Sequence, residues 1–230
     1  MFSNNGFNVW ESISDLMTGL MMIFLFIGLA FLFQLEMREQ DALQVKRQIY
    51  ADLSREFTES EMAQWGAEFD RQTMAISFKE PDVLFDVGKS NLKPRFQEIL
   101  SDFFPRYINI LRKPQYVDKI SEIRIEGYAS IELGEDPNSD KVYFYNMQLS
   151  QDRARNVLQY VFGIPELSGD KEWLRETVIT NGYSYAGASK KSSTQQQRRV
   201  EFRVMTTDEQ ELKKIVDGEE RLQSISRLRH

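Results

Sequence analysis

The sequence predicts an α+β protein with three parts: a single N-terminal transmembrane helix, a helical linker and a small mixed sheet with helices on one face. Three observations lead to this prediction. An uncharged apolar run extends from Leu16 to Phe33. Apolar residues then recur at three- and four-residue spacing between residues 36 and 71, which is typical of an amphipathic helix. Beyond residue 71, strand-like and helix-like segments alternate as β-α-β-α-β, the pattern of a layered α+β domain.

Composition excludes several classes of protein. The chain has 230 residues and a net charge of -6, an acidic balance that argues against a nucleic-acid partner. Its mean hydropathy of -0.47 excludes a transporter with many spans. The absence of cysteine removes disulfides and thiol chemistry, and the single histidine is the last residue, His230. We therefore expect a protein that is not an enzyme and has neither cofactor nor metal.

The apolar run has the length of a membrane span. At about 1.5 Å per residue, the stretch up to Leu35 covers about 30 Å, the thickness of the hydrocarbon core of a bilayer. We predict the transmembrane helix over residues 15–35, after a short lead over residues 1–14. The lead contains no lysine or arginine, and no small-residue cleavage site follows the run, so the helix is not a cleaved signal peptide.

A carboxylate, Asp15, stands at the start of this span, and the residues alone leave two roles open. Asp15 is either the N-cap of the helix, where geometry and helix dipole favour an acid, or a proton-binding group. Thr18 and Gly19 share its helix face. Thr18 is expected to donate a hydrogen bond to the carboxyl group, and Gly19 to allow the close approach of a partner helix.

The remaining chain is divided into a helical linker over residues 36–71, a domain over 72–206 and a C-terminal helix over 207–230. Ile49, Leu53 and Phe57 belong to the apolar stripe of the linker, which suits either a short coiled coil between two copies or packing on its own domain. Pro94 is expected to open a helix that Pro105 breaks or kinks. The other predicted elements are strands over 72–79, 120–128, 178–182 and 199–205, a helix over 151–162 capped by Ser150, and a short helix over 171–176.

Four segments of this domain resemble OmpA-like peptidoglycan-binding domains, and they occur in the order of that family. The segments are Leu84-Phe85-x-x-Gly88-x-x-x-Leu92-x-Pro94, Ile125-Glu126-Gly127-Tyr128, Asn146-x-x-Leu149-Ser150-x-x-Arg153-Ala154-x-x-Val157 and Arg198-Arg199-Val200-Glu201-Phe202. The resemblance implies a βαβαβ domain that binds the cell wall.

The resemblance also implies a binding site. In that family an arginine holds the carboxylate of diaminopimelate, and here the matching residue is Arg153, whose guanidinium suits a bidentate pair. Asn146 and Arg199 match further site positions. Ser130 stands where the family has the aspartate that holds the ammonium group. Acids that could replace this aspartate lie in the following loop: Glu132, Glu135 and Asp136. The alternative is an OmpA-like fold kept for dimerisation or another ligand, with Arg153 in a structural ion pair.

The N-terminal stretch carries a second resemblance. The run Ser14-Asp15-Leu16-Met17-Thr18-x-Leu20-Met21 is similar to the transmembrane signature of the B subunits of flagellar-type stators, in which an aspartate carries protons. The order of short lead, single span, helical linker and OmpA-like domain is the layout of that family. Among its members, the chain is most similar to the B subunits of Zorya anti-phage systems.

This second resemblance implies a proton-driven motor in the inner membrane of a bacterium. Asp15 and Thr18 would bind the proton, and two copies of the chain would sit within a ring of five multi-span A-type subunits. The N-terminus would be cytoplasmic and the OmpA-like domain periplasmic, bound to peptidoglycan. By the positive-inside rule, the basic residues after the span favour the opposite orientation; they are Arg38, Lys46 and Arg47. We adopt the orientation that the resemblance implies. The alternatives are a passive tether between membrane and cell wall, or a flagellar-type stator subunit.

Overall fold

The computed structural model describes residues 7–79, 84–130, 136, 138–185 and 198–207. It divides into two compact units, Met1–Gln44 and Val45–His230, which are considered separately. The predicted C-terminal helix lies outside the described residues from position 208 onward.

The first helix, α1, extends over Phe7–Glu56. Its segment Ile13–Gln34 is long and apolar enough to cross a membrane, and the protein buries none of that segment's side chains. In the second unit, Ile49, Leu53 and Phe57 recur every fourth residue of the chain and lie in the hydrophobic core. This part of the linker therefore packs on its own domain, which is one of the two alternatives left open by its periodicity.

A mixed sheet forms the centre of the second unit, as predicted, and it has five strands where four were expected. Its strands are β1 (Ala67–Asp70), β2 (Ala75–Phe78), β3 (Ile120–Tyr128), β4 (Val178–Gly182) and β5 (Arg199–Thr206). They are arranged in the order β1-β2-β5-β3-β4, and only β3 and β4 run parallel. Strand β1 falls in the segment expected to be helical linker and pairs with β2 as a hairpin.

The helices of this unit are α2 (Glu59–Gln64), α3 (Pro94–Leu111), α4 (Asp140–Phe162) and α5 (Lys171–Thr177). Helix α3 begins at Pro94 as predicted, but the expected break at Pro105 is wrong, because one helix continues through that residue. A proline removes one backbone hydrogen bond, here to the carbonyl of Ser101, which is an exposed residue. Buried Phe103 and Tyr107, on either side, keep the helix on the core.

Helix α4 begins at Asp140, so the prediction of Ser150 as an N-cap is wrong. Ser150 lies in the middle of α4 and is fully buried. Its hydroxyl donates to the carbonyl of Met147 (2.9 Å) and accepts from the backbone N–H of Ser184 (3.0 Å). The residue thus links α4 to the chain that follows β4.

Two glycines allow β3 and β4 to lie directly against α4. A Cβ atom at Gly127 would be 2.2 Å from the backbone oxygen of Ser150, and one at Gly182 would be 2.5 Å from the backbone nitrogen of Gln151. Neither distance leaves room for a side chain. This contact places the end of β3 beside the buried face of α4.

Candidate functional sites in the apolar helix and the α+β domain

Asp15 lies inside α1 and is not its N-cap. The helix begins at Phe7, eight residues earlier, which is more than two turns. An N-cap precedes the first helical turn, so that role is excluded. Asp15 falls within the apolar segment Ile13–Gln34, and its side chain is exposed. Among the described residues, no hydrogen bond or ion pair reaches its carboxylate.

Thr18 does not make the predicted hydrogen bond to the Asp15 carboxyl group. Its hydroxyl donates instead to the backbone oxygen of Ser14, at 2.8 Å. This bond, four residues back along the helix, is the usual one for a threonine without another polar partner. A Cβ atom at Gly19 would meet nothing within 4 Å, so the helix surface beside Asp15 is open.

In the domain, Arg153 and the first OmpA-like segment come together. Arg153 and Asn146 lie two turns apart on the buried stripe of α4. The Nε of Arg153 donates to the backbone oxygen of Lys89 (3.0 Å), and its guanidinium lies 5.0 Å from the centre of the Phe85 ring. These contacts fix the direction of the buried guanidinium.

A small cavity joins all four OmpA-like segments. Its volume is about 10 Å³, the space of one water molecule, and its lining is Leu84, Phe85, Tyr128, Arg153, Arg198 and Arg199. Three guanidinium groups therefore border one enclosed space, an arrangement that suits an anion. The resemblance had identified Arg153 and Arg199. Arg198 and Tyr128 adjoin matched site positions, but nothing in their spacing marked them as site residues.

Arg199 is held in place by residues of the neighbouring sheet strands β3 and β5. Its guanidinium lies 3.6 Å from the centre of the Tyr128 ring, and its Nε donates to Glu201 (2.5 Å). Glu201 also accepts from Arg203 at 3.1 Å. Although burial opposes its charge, the carboxylates of Glu126 and Glu201 raise the pKa of Arg203. The position of Arg199 thus depends on an ionic network on the sheet face away from the core.

Asn146 and Ser130 are both buried, but neither lines the cavity. The amide of Asn146 donates to the backbone oxygen of Val142 within α4 (3.0 Å). The hydroxyl of Ser130 is buried, and no described residue forms a hydrogen bond with it. Of the acids proposed to replace the family's aspartate, Glu132 and Glu135 lie outside the described residues. Asp136 is exposed and accepts from the backbone N–H of Asn138 at 2.9 Å.

The described side chains offer no metal site. Within the described part of the chain, no three Asp, Glu, His or Cys side chains are grouped so that they could hold an ion. The arginines at the cavity would also repel a cation.

These features define a class: a chain in which one apolar helix segment of membrane-spanning length is joined to an α+β domain with an arginine-lined cavity. No protein-family model matches the chain. It is 40% identical over 218 residues to the Zorya protein ZorB of Escherichia coli strain Crooks, covering 90% of this chain and 92% of that protein. A second Zorya protein ZorB, from E. coli O139:H28, is 27% identical over 205 residues, covering 85% and 79%. The chain therefore belongs to the ZorB family, in agreement with the resemblance in its sequence and with the expectation that it is not an enzyme.

Solved structures with a related arrangement share much less sequence. An OmpA-like domain from Francisella tularensis is 22% identical, covers 61% of this chain and 81% of its own, and has a TM-score of 0.39. A cell-wall anchor of the type VI secretion system from Pseudomonas aeruginosa is 20% identical, covers 67% and 96%, and has a TM-score of 0.43. The periplasmic domain of Helicobacter pylori MotB is 16% identical, covers 66% and 97%, and has a TM-score of 0.43.

Proposed function

We propose that the chain is the B subunit of a proton-driven membrane motor, in which Asp15 carries the protons and Thr18 completes the site. The observation that carries the proposal is the position of Asp15 inside α1 and inside the apolar segment Ile13–Gln34, where an N-cap role is excluded. Asp15 is the third residue of that segment, and acids within membrane spans are rare and generally paired, protonated or functional. Membership of the ZorB family supports the same function.

The exposed apolar side chains of this segment need a surrounding that the chain itself does not supply. Lipid and a multi-span A-type partner would supply it, with two copies of this chain inside a ring of five A subunits. The protein would reside in the bacterial inner membrane, with its N-terminus in the cytoplasm and its α+β domain in the periplasm. Gly19, whose surface is open, would let a partner helix approach Asp15 closely.

In this proposal the proton gradient drives rotation of the ring. Each Asp15 takes up a proton from one side of the membrane, becomes neutral and releases the proton to the other side. The two Asp15 groups alternate, so that each transfer steps the ring around the pair. A charge that crosses the membrane yields about 2.3 kcal/mol per 100 mV. In a Zorya system this rotation would signal phage attack to cytoplasmic effectors.

The α+β domain would anchor the motor to peptidoglycan. Arg153, held by the Lys89 carbonyl and the Phe85 ring, would bind the carboxylate of diaminopimelate, with Arg199 beside it at the cavity. Asn146 and Ser130 would support the site from its buried side. Because a serine carries no charge, the ligand's ammonium group would pair with an acid of the loop that follows Ser130.

A second candidate function is a passive membrane-anchored tether to the cell wall. The observation in its favour is that the arginine-lined cavity lies entirely within the domain and is independent of Asp15. The two functions differ in which residue matters. A motor needs the Asp15 carboxylate, whether its role is defensive or flagellar, whereas a tether needs only the wall-binding arginine.

The test compares Asp15→Asn with Arg153→Ala in cells that carry the whole system. We expect the Asp15→Asn chain to assemble with the A-type partner but to give no phage protection. We expect Asp15→Glu to retain part of the protection. Full protection by Asp15→Asn would contradict the motor. For the anchor, we expect Arg153→Ala and Arg153→Lys to lose binding to isolated peptidoglycan. The matched control is Arg155→Ala, an exposed arginine on the same helix paired with Asp152.

A further inference from the structure

A polar cleft of about 320 Å³ opens next to the arginine-lined cavity. One wall is the loop at Gly88–Asn91, and the other is a face of α4 formed by Tyr145, Gln148 and Asp152. These three residues recur at three- and four-residue spacing, so they lie along one side of the helix. The volume is at the lower end of ligand pockets and suits a single ring-sized group.

The chemistry of this cleft differs from that of the cavity. Tyr145 is 50% exposed and offers an aromatic face, while Asn91 and Gln148 contribute exposed amides that can both donate and accept. The charges at the cleft are balanced. Lys89 lies 3.5 Å from Asp86, and Asp152 lies 3.3 Å from Arg155. An uncharged ligand with many hydroxyl groups fits this lining better than a phosphate or a carboxylate.

Cleft and cavity share the same loop. The backbone oxygen of Lys89 accepts the Arg153 hydrogen bond, and Lys89 also lines the cleft. Asp152 and Arg153 are neighbours in α4, one at each site. A ligand that carries a carboxylate close to a sugar could therefore occupy both.

Gly88 keeps the cleft open beside Tyr145. Its φ is +66°, a left-handed conformation that favours glycine, and an added Cβ atom would lie 3.4 Å from the Tyr145 hydroxyl. A side chain at position 88 would thus strain the loop and fill the space next to the ring.

We propose that this cleft binds one N-acetylhexosamine ring of the peptidoglycan glycan strand, beside the stem peptide held at Arg153. The inference rests on the proposed wall-anchoring function and adds a second part of the substrate to it. The C–H groups on one face of the pyranose ring pack on the electron-rich face of Tyr145. The amides of Asn91 and Gln148 bind the ring hydroxyls and the acetamide group.

The experiment measures binding of the full-length chain, in detergent, to two probes by calorimetry. One probe is a disaccharide–tripeptide containing diaminopimelate, and the other is the same tripeptide without sugars. We expect the sugar-bearing probe to bind about tenfold more tightly. Tyr145→Ala should remove this difference and leave binding of the free peptide unchanged. The matched control is Phe144→Ala, because Phe144 is 66% exposed, adjacent in sequence and not part of the cleft.

The outcomes separate the two proposals. Equal affinity of the wild-type chain for both probes would overturn the sugar site alone. A Tyr145→Ala chain that loses as much affinity for the free peptide as for the sugar-bearing probe, each relative to wild type, would mean that the cleft holds peptide, and would also overturn it. A wild-type chain that binds neither probe would contradict wall anchoring itself, and the sugar site with it.

Discussion

The apolar segment of α1 and the core of the α+β domain use the same residue types in opposite ways. Phe24 and Leu16 are 63% and 74% exposed, whereas Phe103 and Leu100 are fully buried. The domain covers its own apolar side chains with helices and sheet. The helix segment presents its apolar side chains to whatever surrounds the protein. One region therefore buries its apolar side chains within the chain, and the other leaves them exposed, as a helix in contact with lipid would.

The acidic residues of the two regions show the same contrast. Glu126 and Glu201 are buried, and each lies within 3.3 Å of Arg203. The hydroxyl of Tyr128 also donates to Glu126, at 3.0 Å. Asp15 has no such partner among the described residues. The paired, buried acids of the domain have a structural role, whereas Asp15 is the group that we propose for proton transfer.

The largest expected effect comes from a pair of glycines, one in each region. Gly127→Ala should destabilise the domain by about 3 kcal/mol, because its Cβ atom would clash with the Ser150 backbone. Gly19→Ala should leave the unfolding of the domain unchanged, since its Cβ atom meets nothing within 4 Å. Urea unfolding of both variants, followed by circular dichroism, measures the difference. Equal loss of stability in the two variants would break the contrast between the regions.

A smaller effect is expected at Asp52, which ties α1 to the domain. Its carboxylate accepts from Lys113 (2.8 Å) and Tyr116 (3.0 Å). The bond from Lys113 lowers the pKa of Asp52 below 3.8, against the opposing effect of burial. Asp52→Asn should therefore cost about 1 kcal/mol at neutral pH.

The pH dependence of this cost has a definite sign. A carboxyl group with a lowered folded-state pKa contributes stability that is present above its ordinary pKa and is lost as the pH falls through the folded-state value. The difference in the free energy of unfolding between the wild-type chain and Asp52→Asn should thus be constant from about pH 5 upward and shrink below about pH 4. Urea titrations at both ends of this range provide the check. A difference that persists undiminished in acid would show that the charge of Asp52 is not responsible.

An effect of similar size has the opposite direction. The Tyr107 hydroxyl is buried in the core without a hydrogen-bond partner among the described residues, and burial raises the pKa of this phenol. Tyr107→Phe should stabilise the domain by about 1 kcal/mol, because it removes an unsatisfied polar group. The control is Tyr116→Phe, which loses a bond to Asp52 and should be less stable than wild type. Thermal unfolding of the two variants should show shifts of opposite sign.

Much of the sheet could be predicted because its signals are local. Strands β3 and β4 begin and end where alternation and flanking residues indicate, and β5 differs by one residue. Strand β1 was missed because four residues after a helical stretch give too little alternation. Ser150 looked like a cap because serine is a favoured N-cap residue and an apolar helical face follows it, at Ala154, Val157 and Val161. Helix α4 contacts strands β3 and β4, and these tertiary contacts are not visible in the local sequence before Ser150.

For the candidate sites, the sequence indicated some of the side chains but not the contacts that orient them. The resemblance identified Arg153 and Arg199, and both do line one cavity. It could not show that a backbone carbonyl, that of Lys89, orients Arg153, because such contacts depend on the loop conformation and not on the side chain at that position. The cap role of Asp15 seemed favourable from position alone. It fails because α1 starts at Phe7, within a lead that contains no strong helix signal.

Proton flux through the assembled complex tests the central claim most directly. The wild-type chain and Asp15→Asn would each be purified with the A-type partner and reconstituted into vesicles that enclose a pH-sensitive dye. With an imposed proton gradient and the motor in its active state, we predict flux through the wild-type complex and none above background through Asp15→Asn, at equal subunit stoichiometry. Equal flux through both complexes would contradict the assignment of Asp15 as the proton carrier.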